Sequence, residues 1–215
     1  MKAAIKPEER SASQAGFSLA ELIIVVAIIM VVAGLSIPSL SRAIDNARLK
    51  GATQTLAAVY QDSRLRATQN DTAYEVLVSA GGAGVPARAC IDLDGDGLCG
   101  TTDAATTFPN KVKLSNSGIP VPLDPQLKFP LANTESPAMH TLQDVPVAGL
   151  AWNSRGIPCQ RSSAAAPCMA TGWIQYVQLK RTGGSTIYGA VTVTPTGRVK
   201  TWIFIPSGSG NGQWL

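Results

Sequence analysis

One stretch of the sequence carries residue types that bind a hard cation. Asp92, Asp94 and Asp96 stand at positions 1, 3 and 5 of a short loop, and a glycine at position 6 permits a sharp turn. Continuing the count, the carbonyl of Leu98 falls at position 7 and the carboxylate of Asp103 at position 12. Glycine and proline upstream disfavour the entering helix of a paired EF-hand. We therefore predict a free-standing calcium loop that orders the chain without catalysing, and the alternative is a solvated acidic turn.

Four cysteines form two close pairs in the sequence. Cys90 and Cys99 bracket the acidic loop, Cys159 and Cys168 lie further along, and eight residues separate the members of each pair. No Cys-x-x-Cys spacing or neighbouring histidine suggests zinc. Disulfides persist outside the cytoplasm, so disulfide bonding would place the soluble part in a periplasmic or extracellular space. Three pairings are possible, and we favour the two local ones.

The last third of the chain is basic. The formal net charge of the whole chain is only +4, but no acidic residue follows Asp144. Arg198 and Lys200 lie there beside aromatic residues, and such a surface could bind nucleic acid through phosphate contacts and base stacking. The alternative, which we favour, is a hairpin turn whose charges are simply solvated.

Nothing in the sequence supplies a catalytic constellation. His140 is the only histidine, and no serine or cysteine motif provides it with a nucleophile. Phosphate loops, dinucleotide fingerprints and zinc spacings are also absent from the sequence. We therefore expect that the chain is not an enzyme.

A carboxylate interrupts the most apolar segment of the chain. Residues 17–37 are apolar apart from Ser18, Glu21 and Ser36, which is close to the ~20 residues that a helix needs to cross a bilayer. A carboxylate at mid-membrane costs about 2.5 to 3.5 kcal/mol, and less near the edge. An ordinary secretory signal peptide, the alternative for this segment, has no use for such a charge. Basic residues before the segment favour a cytoplasmic start of the chain.

The residues around this carboxylate resemble a known processing signal. The run GFSLAEL, which begins at Gly16 and Phe17 after a short polar leader, is similar to the prepilin cleavage motif of type IV pilins and type II secretion pseudopilins. The resemblance implies that a prepilin peptidase cuts after Gly16 and methylates Phe17. It also implies that the terminal amine of a neighbouring subunit neutralises Glu21 in the membrane. Pro38 would be the helix-kinking proline that pilins commonly carry.

A long helix should hold these N-terminal residues. After Pro38, helix-forming residues continue to about residue 70, so we predict one helix of about 50 residues, or ~75 Å. One apolar stripe has the three-and-four spacing suited to packing on a globular domain. Its members are Leu49, Ala52, Leu56 and Val59. A second stripe consists of Leu40, Ile44, Ala47 and Gly51.

Short β-like runs follow the helix. They are separated by glycine and proline clusters, and the predicted strands span 73–79, 111–114, 171–179, 185–194 and 198–205. A Pro-Thr-Gly turn joins the last two, which should form an antiparallel pair. We therefore predict an α+β pilin fold, in which a long N-terminal transmembrane helix packs on a C-terminal antiparallel β-sheet domain.

The order of these features narrows the resemblance. With LAWNSRG at 150–156 and GRVK at 197–200, the chain is similar to the GspH/FimT group of minor pilins and pseudopilins. The expected organisation is then described by four segments and one insertion. These are a prepilin leader at 1–16, the transmembrane half of the helix at 17–38, its periplasmic half at 39–70, a β-rich domain at 71–215, and an insertion at about 81–147.

The resemblance implies a structural role in a filament. The chain would be a single-pass protein of the bacterial inner membrane with a periplasmic domain, assembling into the type II secretion pseudopilus or a type IV pilus tip, and it would reach the cell surface in a pilus. Its partners would be the prepilin peptidase and other pilin or pseudopilin subunits. Some members of the group bind DNA through a Gly-Arg-x-Arg stretch, which the run containing Arg198 and Lys200 approaches. The alternatives are therefore a DNA-binding minor pilin for DNA uptake and a calcium-dependent surface adhesin.

Overall fold

The computed structural model describes most of the chain, with several gaps. The described residues are 17–81, 84–114, 118–121, 123, 127, 150–160, 169–170, 172–181, 184–206 and 212–215. By internal contacts the chain divides into two units, Met1–Ser41 and Arg42–Leu215.

A single helix, α1, spans Leu19–Gln69 and contains 51 residues. This length confirms the predicted helix of about 50 residues. The helix ends where Asp71 adopts a left-handed backbone conformation with a φ of 49°, which no regular helix can continue. At this end the N–H of Asn70 donates to the carbonyl of Arg66 at 2.9 Å, so the final turn is closed.

Only the C-terminal part of α1 contributes to the core. The stripe predicted to pack on the domain is buried, and Leu56 and Tyr60 are fully inaccessible. The other stripe stays exposed, because Leu40 and Ile44 retain 62% and 43% of their accessible surface. The hydroxyl of Tyr60 accepts a hydrogen bond from the indole N–H of Trp173 at 3.2 Å. Helix and strands are therefore held by a buried polar contact as well as by apolar packing.

Eleven strands follow α1 in the described residues. They are β1 (Tyr74–Ser79), β2 (Arg88–Asp92), β3 (Ala104–Thr107), β4 (Val112–Leu114), β5 (Leu150–Trp152), β6 (Pro158–Gln160), β7 (Met169–Ala170), β8 (Trp173–Lys180), β9 (Thr186–Val193), β10 (Val199–Ile205) and β11 (Gln213–Trp214). The five predicted strands correspond to β1, β4, β8, β9 and β10, so the predicted α+β class with antiparallel strands is confirmed. The remaining strands have two to five residues and no alternating apolar pattern long enough to predict them.

The strands form two antiparallel sheets. The first has the order β3-β2-β1-β5-β6-β7 and the second the order β11-β10-β9-β8-β4. The predicted terminal hairpin is present, since β9 and β10 pair from Val199 opposite Val193 to Ile203 opposite Gly189. At Gly189 a Cβ would lie against the hydroxyl of Thr53 on α1, so glycine allows the helix to approach this strand closely.

Both faces of the second sheet are covered. Side chains alternate along a strand, and odd-numbered residues such as Val177 and Val191 join the main core beneath α1. Even-numbered apolar residues of β8, β9 and β10 join a second cluster on the opposite face. The buried members of that cluster are Leu123, Ile174, Tyr176, Ala190, Phe204 and Trp214.

The predicted insertion contributes to this folded domain. It supplies β2, β3 and β4, and its Leu123 lies in the second cluster, where the N–H of Leu123 donates to the hydroxyl of Tyr176 at 2.8 Å. The indole N–H of Trp214 donates to the carbonyl of Val121 at 2.9 Å. β2 and β3 thus belong to the first sheet and β4 to the second, while the described residues around Leu123 lie on the outer face of the second sheet.

Candidate functional site

Ser18 caps the start of α1. The backbone N–H of Glu21 donates to the Ser18 hydroxyl at 3.2 Å, and the N–H of Leu22 donates to the Ser18 carbonyl at 3.2 Å. Ser-x-x-Glu is the sequence pattern of a capping box, a signal that our sequence analysis did not use. Glu21 lies in the first helical turn, where a carboxylate also interacts favourably with the helix dipole. The residue predicted to act in assembly thus has a local structural role as well.

The segment that follows Glu21 presents an apolar surface all around the helix. Ile29 is 60% exposed and Met30 is 68% exposed, and the most apolar window of the helix has a mean hydropathy of 2.8 with none of it buried. An apolar surface this large is unfavourable in water. By length and composition the helix is able to cross a membrane.

The four aspartates of the predicted calcium loop lie together at the end of β2. One carboxylate oxygen from each of Asp92, Asp94, Asp96 and Asp103 lies within 4.8 Å of the others. The loop is closed at its base by the predicted disulfide between Cys90 and Cys99, whose Cα atoms are 6.0 Å apart. The carboxylates thus converge as the calcium hypothesis requires.

Backbone hydrogen bonds hold the loop in this shape. The carboxylate of Asp92 accepts from the N–H groups of Gly95 and Gly97 at 2.7 and 2.9 Å. Both glycines have positive φ angles, 77° and 76°, so the turn needs their conformational freedom. The carboxylate of Asp103 accepts from the N–H groups of Leu93 and Gly100 at 2.9 and 2.6 Å, which ties the start of the loop to its end.

Two carboxyl groups of the loop, those of Asp92 and Asp94, have shifted pKa values. Burial raises the pKa of the Asp92 carboxyl, the N–H groups of Gly97 and Gly95 partly offset this rise, and the nearby charge of Asp103 adds to it. The hydroxyl of Thr102, which donates to Asp94 at 2.7 Å, lowers the pKa of the Asp94 carboxyl. Within the described part of the chain, the ion pairs are those of Asp45 and Asp62, so no lysine or arginine there neutralises the loop.

Leu98, predicted to offer its carbonyl to a cation, follows Asp96 in the loop. Its N–H donates to the Asp96 carboxylate at 2.7 Å, and its side chain is 47% exposed. The Leu98 side chain therefore does not pack in the hydrophobic core, and the contact that Leu98 makes with the loop is through its backbone.

The two sequence runs that suggested the GspH/FimT group meet around Arg64 of α1. The guanidinium of Arg64 donates to the carbonyl of Gly197 at 2.9 Å and lies 5.6 Å from the ring centroid of Trp152. A Cβ at Gly197 would lie 2.8 Å from the carbonyl oxygen of Gly156. Both glycines therefore allow α1, the segment around Gly156 and the β9–β10 turn to pack closely together. No motif in the sequence singled out Arg64, because its role depends on residues far away in the chain.

The two basic residues of the β9–β10 turn region face solvent. Arg198 is exposed, and its backbone N–H donates to the hydroxyl of Thr194 at 3.0 Å. The ammonium of Lys200 lies 3.3 Å from the ring centroid of Trp202, in a cation–π contact. DNA binding by these residues stays a prediction, since none of these contacts tests it.

Comparison with known protein families bears on the N-terminus. Residues 11–37 match the family model of the prokaryotic N-terminal methylation motif. This motif indicates a type IV pilin-like precursor. Such a leader implies processing by a prepilin peptidase and assembly with other pilins, and the apolar α1 is consistent with the membrane anchoring of a pilin-type protein. Neither the curated proteins nor the solved structures gave a match to the chain.

Several residues that the sequence analysis singled out lie outside the described residues. Gly16 and Cys168 are among them, as is His140, while α1 runs through position 38 but the side chain of Pro38 is not described. Cys159 is disulfide-bonded. The described residues therefore confirm one local disulfide, Cys90 with Cys99, and show that a third cysteine is oxidised.

Proposed function

We propose that this chain is a minor pilin or pseudopilin of the GspH/FimT type, a structural subunit rather than an enzyme. It would assemble into the type II secretion pseudopilus or the tip of a type IV pilus. One observation carries the proposal. The N-terminal methylation motif over residues 11–37 coincides with an exposed apolar helix whose first turn holds Glu21.

The proposed mechanism begins in the membrane. The precursor is stored in the bacterial inner membrane with its globular domain in the periplasm, until a prepilin peptidase cuts between Gly16 and Phe17 and methylates the new amine. The apolar surface of α1 then leaves lipid and packs against the helices of neighbouring subunits. A buried carboxylate needs a partner, and the terminal amine of a neighbour supplies it for Glu21.

The first test of this proposal is the mature N-terminus. Mass spectrometry of the protein isolated from its membrane should find a chain that starts at N-methylated Phe17. A chain that starts near Ser36 would instead indicate ordinary secretion and would overturn the proposal.

The second test separates the charge of Glu21 from its size. The Glu21→Ala and Glu21→Gln variants should both be processed yet enter the assembled polymer at least ~10-fold less than the parent, because losing one buried ion pair leaves the amine unpaired at a cost of several kcal/mol. Ser18→Ala is the matched control, since it removes the helix cap and keeps the charge. Incorporation of Glu21→Gln at the parent level, measured in sheared filaments, would contradict the mechanism.

We also propose that the acidic loop binds calcium. The support is the convergence of four carboxylates within 4.8 Å, one of them on the buried Asp92. Oxygen-only ligands in a flexible loop suit Ca²⁺ better than a transition metal. In this role Asp92, Asp94, Asp96 and Asp103 would supply carboxylate ligands, and the ion would stiffen the surface of the subunit.

A further inference from the structure

A groove runs between α1 and the turn that joins β9 to β10. It has a volume of about 720 Å³. Its walls are formed by Gln61, Arg64, Leu65 and Thr68 of α1 and by Thr196–Val199 of the turn. Leu65 is 53% exposed, so the wall formed by α1 offers apolar surface that no other part of the described chain covers.

The strand that borders this groove has an open edge. The N–H of Ile203 donates to the carbonyl of Leu215 at 2.9 Å, and the N–H of Leu215 donates back at 3.0 Å. Backbone groups of successive residues in a strand point to opposite sides, so the odd-numbered residues of β10 point away from β9. β11 pairs with Phe204 and Ile205, and Leu215, which follows β11, pairs with Ile203.

Two residues of β10 are therefore left with outward-pointing backbone groups. Val199 and Thr201 come before the part of β10 that β11 covers, and among the described residues no strand lies beside them. Each offers one N–H donor and one carbonyl acceptor. Unpaired groups at a sheet edge are the template on which an extended segment of another protein can add as a strand.

The charge beside this edge has one sign. Arg64 and Arg198 line the groove, neither forms an ion pair within the described residues, and no acidic residue is among the lining residues. Arg64 is held in place by the carbonyl of Gly197 and the ring of Trp152, so its charge is fixed rather than free to swing into solvent. An arriving segment with carboxylates would meet both guanidinium groups.

We propose that this groove receives an extended acidic segment of another protein, which pairs with Val199 and Thr201 as an added strand and places its carboxylates on Arg64 and Arg198. The identity of that protein as a neighbouring filament subunit rests on the proposed function, while the binding surface itself does not. Nucleic acid also carries negative charge, but it has no peptide backbone that could continue the β ladder at Val199 and Thr201.

The test uses the full-length chain in detergent and a fluorescent synthetic peptide of ~10 residues with alternating glutamate and valine, long enough for one strand. Fluorescence anisotropy should show saturable binding. The same peptide with lysine in place of glutamate should not bind. A glutamate peptide with N-methylated backbone on alternate residues, which cannot pair with an edge, should bind at least ~5-fold more weakly.

Two variants separate charge from strand pairing. Arg198→Glu should weaken peptide binding at least ~10-fold. Thr201→Pro removes an outward N–H without breaking the ladder to β9, and it should weaken binding about 3-fold to 10-fold. Lys113→Glu is the matched control, because Lys113 is exposed on β4 at the opposite edge of the second sheet, and it should leave binding unchanged.

The opposite results would overturn the inference. These are the absence of saturable peptide binding up to ~1 mM, or binding that is indifferent to Thr201→Pro and to N-methylation. Tighter binding of a labelled oligonucleotide, lost in Arg198→Glu and kept in Thr201→Pro, would show a phosphate site instead. Cleavage at Gly16 is scored separately, by mass spectrometry of the protein isolated from its own membrane. Normal cleavage without peptide binding rejects only the groove, whereas peptide binding without cleavage rejects the proposed function.

Discussion

At the residue scale, Gly197 illustrates how a motif glycine can be read in two ways. In the sequence it introduces a basic stretch, which draws attention to Arg198 beside it. In the folded chain its φ is 84°, and an added Cβ would lie 3.1 Å from the guanidinium carbon of Arg64 and 3.2 Å from the ring of Trp152. Packing around Arg64 and Trp152 therefore requires a glycine at position 197, independently of any role of Arg198.

This packing gives a quantitative prediction. Gly197→Ala should lower the free energy of unfolding by about 2 to 4 kcal/mol, because it combines backbone strain with a steric clash. Gly184→Ala is the control: its φ is 87°, but nothing lies within 4 Å of the added Cβ, so about 1 kcal/mol is expected. Urea unfolding of the two variants measures the difference. Equal losses would contradict the packing account.

Asp92 provides a pH-dependent prediction. Burial raises the pKa of its carboxyl, so the folded loop holds a proton more strongly than the unfolded chain does. Without calcium, the contribution of this group is present at low pH and is lost as pH rises from the unfolded pKa through the raised folded pKa. Calcium needs the ionised carboxylate, so its stabilising effect should appear over the same rise in pH.

The measurement is thermal unfolding with calcium and with a chelator. At neutral pH, calcium at 100 times its dissociation constant should stabilise the chain by about 2.7 kcal/mol. Asp92→Asn should abolish that gain, and acidification through the pKa of Asp92 should abolish it in the parent. Asp71→Asn is the control, because Asp71 is exposed and asparagine tolerates its positive φ. A calcium effect that survives Asp92→Asn would reject the site.

At the element scale, α1 is one continuous helix with two different surfaces. Around Ile29 and Met30 its apolar side chains are 60% and 68% exposed, which suits lipid or neighbouring helices. Around Leu56 and Tyr60 the side chains are fully buried beneath the sheets. The N-terminal part of α1 therefore requires an apolar environment, whereas its C-terminal part belongs to the core of the globular domain.

The prediction at this scale compares two leucines of the domain half of α1. Leu56→Ala should cost about 2 to 5 kcal/mol in the free energy of unfolding, because it empties a fully buried position. Leu65→Ala should cost less than about 0.5 kcal/mol, since that side chain is 53% exposed. Chemical denaturation followed by tryptophan fluorescence compares them. Similar losses would mean that the helix does not pack on the domain as described.

At the scale of the whole molecule, the second sheet is sandwiched between two apolar clusters. α1 covers one face, and chain segments around Leu123 and Trp214 cover the other. The second cluster is tied by aromatic contacts, since the ring of Phe204 lies 5.2 Å from that of Trp214 and 6.2 Å from that of Tyr188. The domain thus depends on contacts between distant parts of the chain.

Leu123 tests this arrangement. Leu123→Ala should destabilise the domain by about 2 to 4 kcal/mol and should shift tryptophan emission to longer wavelength, because the covering segment loosens over Trp214. Val85→Ala, at a side chain that is 52% exposed, is the control and should leave both signals unchanged. An unchanged emission in Leu123→Ala would show that the segment does not cover the sheet.

The sequence alone determined the features that depend on neighbouring residues. The length of α1, its buried stripe, the four longest strands and the short β4 were predicted from local spacing, because helical and strand periods and turn chemistry act over a few residues. The spacing of the cysteines favoured the disulfide that closes the acidic loop without deciding it. The methylation motif is likewise contiguous, so Phe17 and Glu21 were identified without a structure.

Only the tertiary structure decided the features that join distant residues. The contact of Arg64 with Gly197 and Trp152, the covering of the second sheet by Leu123, and the open edge at Val199 depend on which segments meet in space. The six strands that were not predicted belong to the same group, because two to five residues carry little pattern and pairing with a neighbour determines them. Local periodicity sets which residues are apolar on one face, whereas packing decides what covers that face.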